Sequence, residues 1–191
     1  MLTSVPRVWF LVVAVVIVHA STVSAQSIRM GTFRGYLTGH LGSAVGGEVS
    51  DPQLMPGVSV GVHEQDGWGA ELDFGRASDA EAGVQVLDVT TYMVNGAWIK
   101  PTGLFRPFGL IGAGIMQIHG CDATCSRTAT TYDLGLSTGA GVFALLNDSV
   151  GLRGDVRYLF SGADHPDLGR PEKFGFWRIS IGATFTWTIL P

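Results

Sequence analysis

Seven charged side chains lie at alternate positions of strand-like segments, a spacing that places them on shared faces. Arg153, Asp155 and Arg157 follow one another at a spacing of two, and so do Glu71 and Asp73. In an enclosed interior an unpaired charge costs several kcal/mol, so such groups have to form ion pairs. Because four cations and three anions nearly balance, we expect a paired network inside a closed fold. Its members are Arg34, Glu71, Asp73, Arg153, Asp155, Arg157 and Arg178.

Candidate catalytic residues are few in this sequence. His40, His63, His119 and His165 are scattered, and the chain has no HExxH motif, no Gly-rich phosphate loop and no Gly-x-Ser-x-Gly motif. His40 and Ser43 are the nearest histidine–serine pair, but their spacing of three puts them on opposite faces of a strand. We therefore expect no enzyme activity and no cofactor.

The two cysteines, Cys121 and Cys125, lie four positions apart in one polar segment. In an exported protein the environment is oxidising, which favours a disulfide between them. Free thiols are one alternative. A metal site with His119 and Asp122 is another, but the Cys-x-x-x-Cys spacing is only weakly typical of zinc and no second ligand pair follows. We expect the disulfide, and no metal ion.

Two long segments near the C-terminus indicate the elements that position these residues. Val150–Phe160 and Phe176–Trp187 alternate without a break between an apolar and a polar face, which is the period of a β-strand. Each is about 11–12 residues long, where ordinary strands have about 5–6 residues. Strands of this length with one apolar and one polar face are typical of a transmembrane β-barrel.

The remaining chain predicts six further strands and no amphipathic helix. Short turns of three to seven residues, rich in Gly, Pro, Asn and Asp, alternate with longer polar loops. This alternation is the pattern of an outer-membrane barrel, with short periplasmic turns and longer external loops. We therefore predict an all-β, eight-stranded, antiparallel up-and-down transmembrane β-barrel. The six further strands are about 33–45, 57–63, 68–76, 85–99, 107–120 and 132–146, and the faces of the fifth strand of the barrel, 107–120, stay unassigned because it is apolar on both sides.

The N-terminus predicts export. Arg7 precedes a continuous apolar run, Val8–Val18, and Val23-Ser24-Ala25 places small residues ahead of Gln26. We expect a signal peptide over residues 1–25 and one barrel domain over residues 26–191. The net charge of −4 argues against nucleic acid as a partner. Charged residues make up only 15% of the chain, against about 25% in soluble domains.

A soluble barrel with the apolar face inside would show the same alternation. Aromatic residues at both strand ends argue against it, because two such levels are typical of membrane-interface girdles. The polar face is also rich in Gly and Ser, which suits a crowded interior. The predicted girdle residues are Trp68, Trp98, Phe108, Phe185 and Trp187 near the short turns, and Phe74, Tyr132, Tyr158, Phe160 and Trp177 near the long loops.

The chain resembles the small outer-membrane β-barrel proteins, a group that includes the transmembrane domain of outer membrane protein A. The resemblance lies in the architecture and in runs such as Gly109–Gly114, Gly139–Val142 and Leu152–Tyr158. It implies a location in the bacterial outer membrane, contact with lipid and lipopolysaccharide, and assembly by the barrel-assembly machinery. That machinery often reads a C-terminal aromatic residue, so we expect the recognition strand to end at Trp187.

The resemblance and the charged face together predict a monomer with a plugged polar lumen. Four external loops would then carry a structural or adhesive role, or support membrane integrity. Alternatively, some of the seven charges lie in water at the barrel ends. Two further functions stay open: a lipid A-modifying enzyme, since some small barrels are of this kind, and a small-solute pore.

Overall fold

The computed structural model describes residues 32–47, 49–82, 85–121, 128–161 and 174–189, which form eight antiparallel strands. Each strand pairs with its neighbours in sequence, and the first pairs with the last, so the sheet closes into a barrel. The predicted eight-stranded antiparallel barrel is confirmed. The strands are β1 (Arg34–Gly46), β2 (Val49–His63), β3 (Trp68–Ala82), β4 (Gln85–Ile99), β5 (Phe105–Cys121), β6 (Thr128–Leu145), β7 (Val150–Ser161) and β8 (Phe174–Thr188).

Across the middle of the barrel, polar side chains point inward and apolar side chains point outward. In β8, Ile179 and Ile181 are 52% and 66% exposed, whereas Arg178 between its apolar neighbours is fully buried. The same alternation holds in β1, where Leu37 and Leu41 are exposed and Thr38 is buried. This orientation excludes the soluble barrel with an apolar interior.

Three short turns join the strands at one end of the barrel. Gly67 and Gly103 take positive φ angles of 96° and 101° in the β2–β3 and β4–β5 turns, a conformation that residues with a Cβ rarely adopt. In the β6–β7 turn the Asn147 side-chain oxygen accepts hydrogen bonds from the backbone N–H groups of Ser149 and Val150, both at 2.8 Å. The residue types of these turns therefore fix where each hairpin reverses.

Several strands extend further than the sequence predicts, at the end opposite these turns. Val49–Pro56 belongs to β2, although the sequence predicts a polar loop there, and β3 continues to Ala82. β6 begins at Thr128. Pairing with a neighbouring strand overrides the weak β-propensity of these polar segments.

The long strands form a four-stranded extension that continues beyond the closed part of the barrel. We define it as residues 76–82, 85–90, 117–121 and 128–134 of β3 to β6, which pair with one another up to Ala82–Gln85 and Cys121–Thr128. The pairing of β2 with β3 ends at Gly57–Gly75, next to Pro56. Proline has no backbone N–H to donate, and at an unpaired edge this carries little cost.

Some predictions fall outside the described residues. These are the signal peptide, residues 1–25, and Cys125 of the predicted disulfide; Cys121 is the last residue of β5. None of the described residues forms a helix long and apolar enough to cross a membrane.

Candidate functional site

Arg157, on β7, is at the centre of an ion-pair network inside the barrel. Its guanidinium lies 2.9 Å from a Glu71 oxygen, 3.3 Å from an Asp73 oxygen and 3.0 Å from an Asp155 oxygen. Alternation along β7 turns Asp155 and Arg157 inward, and alternation along β3 does the same for Glu71 and Asp73. The network thus joins two strands that are not neighbours in the barrel.

Arg153 joins the same network from one side. Its Nη1 lies 2.6 Å from Glu71 and its Nε 2.9 Å from Asp155. The guanidinium carbon also lies 4.4 Å from the ring centre of Phe108, 5.0 Å from that of Phe143 and 5.8 Å from that of Tyr36. Arginine stacks favourably on aromatic rings, so these three rings hold the cation from the side that faces the short turns.

Arg178 completes the network at its other end. It donates two hydrogen bonds to Asp73, at 2.8 and 3.0 Å. The imidazole Nε2 of His40 lies 3.4 Å from the same carboxylate. Three arginines therefore face three carboxylates, so the charges of these six groups balance. All six charged side chains are at most 1% exposed.

Hydroxyl and amide groups donate further hydrogen bonds to the same carboxylates. Tyr36 donates to Glu71 at 2.9 Å, Ser59 to Asp73 at 2.7 Å and Ser180 to Asp155 at 3.1 Å. Ser137 and Asn95 continue the chain of hydrogen bonds toward Glu71. The sequence analysis did not include these residues in the network. Tyr36, Ser59 and Asn95 lie on the polar faces of their strands, and this position could have identified them.

Apolar side chains close off the network on both sides along the barrel axis. Toward the long loops lies a buried cluster from seven strands, and toward the short turns lies a second cluster of rings and aliphatic groups. The alternation of polar residues did not reveal these layers. The first contains Met55, Met93, Met116, Leu159 and Phe176 among others, and the second contains Tyr36, Ala97, Ile99, Phe108, Leu110 and Phe143.

Two sequence predictions are corrected by this geometry. Phe108, predicted for the girdle, is only 4% exposed and lies inside the barrel against Arg153. Because β5 is apolar on both faces, alternation alone could not predict which way its side chains point. Arg34 lies apart from the other six charges. It lines a small cavity near the short turns with His63 and Arg106, and it forms no ion pair among the residues that the structure describes.

The outer face carries aromatic side chains at two levels. Near the short turns Trp68, Trp98, Phe185 and Trp187 are between 37% and 64% exposed. Near the other end Tyr158 contacts Trp177 and Phe160, with ring centres 5.0 and 5.8 Å apart. Exposed aliphatic residues such as Val156 and Ile179 lie between these levels. This is the surface that a lipid bilayer requires.

The one histidine–serine pair considered for catalysis is separated by the wall of the barrel. His40 is 5% exposed and faces inward, and Ser43 lies three positions along the same strand, on the outward face. The arrangement does not bring a base and a hydroxyl nucleophile together.

Comparison with known proteins identifies the family. A family model described as the outer membrane protein beta-barrel domain matches residues 10–185. The chain belongs to this family. It is a small outer-membrane β-barrel protein of the bacterial outer membrane, where it is surrounded by lipid and lipopolysaccharide. No curated protein matches the chain.

Solved structures share the fold of this outer-membrane barrel at low sequence identity. The N-terminal β-barrel domain of Pseudomonas aeruginosa OprF has a TM-score of 0.60 and 13% identity, covering 83% of this chain and 100% of that one. Neisserial surface protein A has a TM-score of 0.58 and 14% identity, covering 81% and 95%. Ail, the attachment invasion locus protein of Yersinia pestis, solved with the heparin analogue sucrose octasulfate, has a TM-score of 0.54 and 14% identity, covering 83% and 100%.

Proposed function

We propose that this barrel is a non-conducting membrane anchor that carries external segments for contact with other surfaces, a structural and adhesive role. The observation that carries the proposal is the ion-pair network of Arg153, Arg157 and Arg178 with Glu71, Asp73 and Asp155, enclosed between two apolar layers. Eight strands leave an interior just wide enough for side chains. A solute would have to break several buried ion pairs to pass, so the network acts as a plug.

The four-stranded extension supports a role outside the membrane. A strand needs about 9–11 residues to cross the bilayer, whereas β5 and β6 have 17 and 18 residues. The additional residues continue the paired sheet past the closed part of the barrel, on the side of the long loops. A sheet held by backbone hydrogen bonds positions a contact surface better than a free loop would.

The charge of the external segments indicates the chemistry of a partner. Residues 46–56, 77–84, 121–131 and 161–175 contain eight acidic residues against three basic ones. Segments with this excess of acidic residues attract basic partners and repel polyanions. In this respect the chain would differ from a protein that binds a sulfated sugar, and we propose a partner with a basic surface.

We propose no catalytic role, because His40 and Ser43 lie on opposite sides of the barrel wall. We also propose a monomer that the barrel-assembly machinery inserts. The closure of β1 against β8, from Arg34–Thr188 to Val45–Trp177, leaves no unpaired strand edge in the part that crosses the membrane.

Cells that display the protein test this proposal with two readouts. We expect adhesion to poly-lysine-coated surfaces to rise on expression, and adhesion to heparin-coated surfaces to stay at the background level. The triple variant Asp164→Asn, Asp167→Asn, Glu172→Gln should lose most of the gain, because it removes three of the eight acidic charges of these segments. Uptake of a small antibiotic should be equal with and without the protein. Stronger adhesion to heparin, or increased uptake, would contradict the proposal.

A further inference from the structure

A cavity of about 380 Å3 lies at the end of the barrel that carries the short turns. Its volume is in the range of ligand sites, roughly 300–1,000 Å3. The short turns of an outer-membrane barrel face the periplasm, so the cavity is accessible to periplasmic solutes. Most of the side chains around it are polar, and they include Arg34, His63, Glu64, Gln65, Thr102 and Thr188.

A smaller cavity of about 20 Å3 adjoins the first one, because Arg34 and His63 line both. Arg106 lines this inner cavity as well. Ile99 and Phe143 also line it, and they belong to the buried apolar layer near the short turns. This layer separates the two cavities from the ion-pair network around Arg157.

The period of two along the strands brings the two arginines into the mouth of the barrel. Arg34 is two residues from Tyr36 on β1, and Arg106 is two residues from Phe108 on β5. Tyr36 and Phe108 are both buried inside the barrel, so the arginines share their inward direction. Because β1 and β5 are four strands apart in a closed barrel of eight, the two guanidinium groups approach the cavity from opposite walls.

Neither arginine has a carboxylate partner among the residues that the structure describes. The Nε of Arg106 donates to the Gly103 carbonyl oxygen at 3.1 Å, which leaves its terminal N–H groups for another acceptor. None of the exposed acidic residues of the short turns pairs with either arginine in the described ranges; these residues are Glu64, Asp66 and Asp148. Two like charges at one cavity repel each other, and an anion between them would be attracted to both.

We propose that this periplasmic mouth binds a small phosphate monoester, with the phosphate between Arg34 and Arg106. A phosphate carries a charge of about −1.5 to −2 and three acceptor oxygens. Its oxygens point in several directions, so it accepts hydrogen bonds from opposite walls, whereas a planar carboxylate presents its oxygens at one edge. Arginine forms strong charge-assisted hydrogen bonds with such a group.

The outer cavity fits a hydroxylated molecule attached to the phosphate. Gln65, Thr102 and Thr188 line it and carry hydrogen-bonding side chains. A sugar phosphate therefore matches both parts of the site, the arginines with its phosphate and the outer cavity with its hydroxyl groups. The site is at the opposite end of the barrel from the external segments, so it is independent of the proposed adhesion.

Isothermal titration calorimetry of the folded full-length barrel tests the site, in an uncharged detergent and a phosphate-free buffer. The probe is glucose 6-phosphate, and we expect one molecule bound per barrel. Glucose should not bind, because it lacks the phosphate. Inorganic phosphate should bind at the same site more weakly, because it makes no contact in the outer cavity. Equal affinity for inorganic phosphate and glucose 6-phosphate would overturn the monoester as the ligand.

Charge variants locate the phosphate. Arg34→Gln and Arg106→Gln should each lower the affinity at least about tenfold, since each removes charge-assisted hydrogen bonds. Lys100→Gln is the matched control. Lys100 is an exposed cation of the β4–β5 turn that lines neither cavity, and its loss should change the affinity less than about twofold. Equal losses in the control and the two arginine variants, or no saturable binding of glucose 6-phosphate, would overturn the proposal.

Two further variants keep the test independent of folding defects and separate the two parts of the site. If Arg34→Gln fails to fold, as judged by electrophoretic mobility before and after heating, Arg34→Lys keeps the charge and should still weaken binding, because lysine lacks the planar fork of donors. Thr102→Val should weaken binding of glucose 6-phosphate and leave that of inorganic phosphate unchanged. An equal effect of Thr102→Val on both probes would contradict the placement of the sugar.

Discussion

The guanidinium of Arg178 on β8 forms two hydrogen bonds with the carboxylate of Asp73 on β3, at 2.8 and 3.0 Å. The residues are 105 positions apart in sequence, and their strands are separated by β1 and β2 in the barrel wall. The pair therefore spans the interior rather than lying along the sheet. Both side chains are fully buried, and Asp73 is the carboxylate that supplies the countercharge of Arg178.

Replacing Arg178 by glutamine should lower the free energy of unfolding by about 3–5 kcal/mol, since Asp73 would lose its bidentate partner while staying buried. Urea titration of the protein in lipid vesicles measures this change. The matched control is Arg76→Gln, which breaks the exposed pair with Asp88 and should cost at most about 1 kcal/mol. Equal losses in the two variants would contradict the buried network.

The contact between Arg153 and Glu71, at 2.6 Å, should give a measurable coupling energy in a double-mutant cycle. Arg153→Met leaves Glu71 short of countercharge and should be strongly destabilising. Adding Glu71→Gln should recover part of the loss, because the unpaired carboxylate is then gone. Urea titration in lipid vesicles measures the free energy of unfolding of each variant in this cycle. Arg153→Met combined with the distant Asp88→Asn should instead be additive, and recovery of stability in that control would argue against a specific pair.

An arginine placed on the lipid-facing surface should destabilise the barrel for a different reason. Val156→Arg should cost about 2–4 kcal/mol near the bilayer centre, because hydrocarbon cannot solvate a guanidinium. Leu146→Arg is the control. Leu146 is 67% exposed in the short turn after β6, where the cost should be about 0–1 kcal/mol. Folding into vesicles under urea titration separates the two, and equal tolerance of both arginines would show that the outer face is assigned wrongly.

The sequence predicted the barrel and most of the network because both follow from a period of two. Arg153, Asp155 and Arg157 alternate with apolar residues that the bilayer solvates, so only one orientation satisfies both sets. β4 was predicted with its observed bounds, Gln85–Ile99. Which side chains of a strand point inward can therefore be predicted wherever polar and apolar residues alternate strictly.

The remaining features depend on contacts between distant strands. Phe108 lies in a strand that is apolar on both faces, and its contacts with Arg153 and Phe143 explain its inward direction. Val49–Pro56 contains two prolines, and only the register with β1 makes it a strand. The grouping of Met55, Met93 and Met116 in one layer comes from three strands and has no local signal.

The two cysteines give a prediction that involves one residue, Cys125, outside the described part of the chain. Cys121 and Cys125 should form a disulfide in the exported protein, because the compartment is oxidising. Alkylation under denaturing conditions without a reductant should leave both unlabelled, and labelling should appear after reduction. Replacing both by serine should change the protease sensitivity of this segment and leave the barrel folded. Labelling without a reductant would contradict the disulfide.

Single-channel recording of the natural protein in a planar bilayer tests the sealed lumen most directly. Heat-dependent electrophoretic mobility establishes that the reconstituted protein is folded, and a large porin in the same bilayer serves as the positive control. Because the network around Arg157 is enclosed between two apolar layers, we predict no steady conductance above the bare bilayer. A steady, large conductance from the folded natural protein would contradict the plug and the role as a non-conducting anchor.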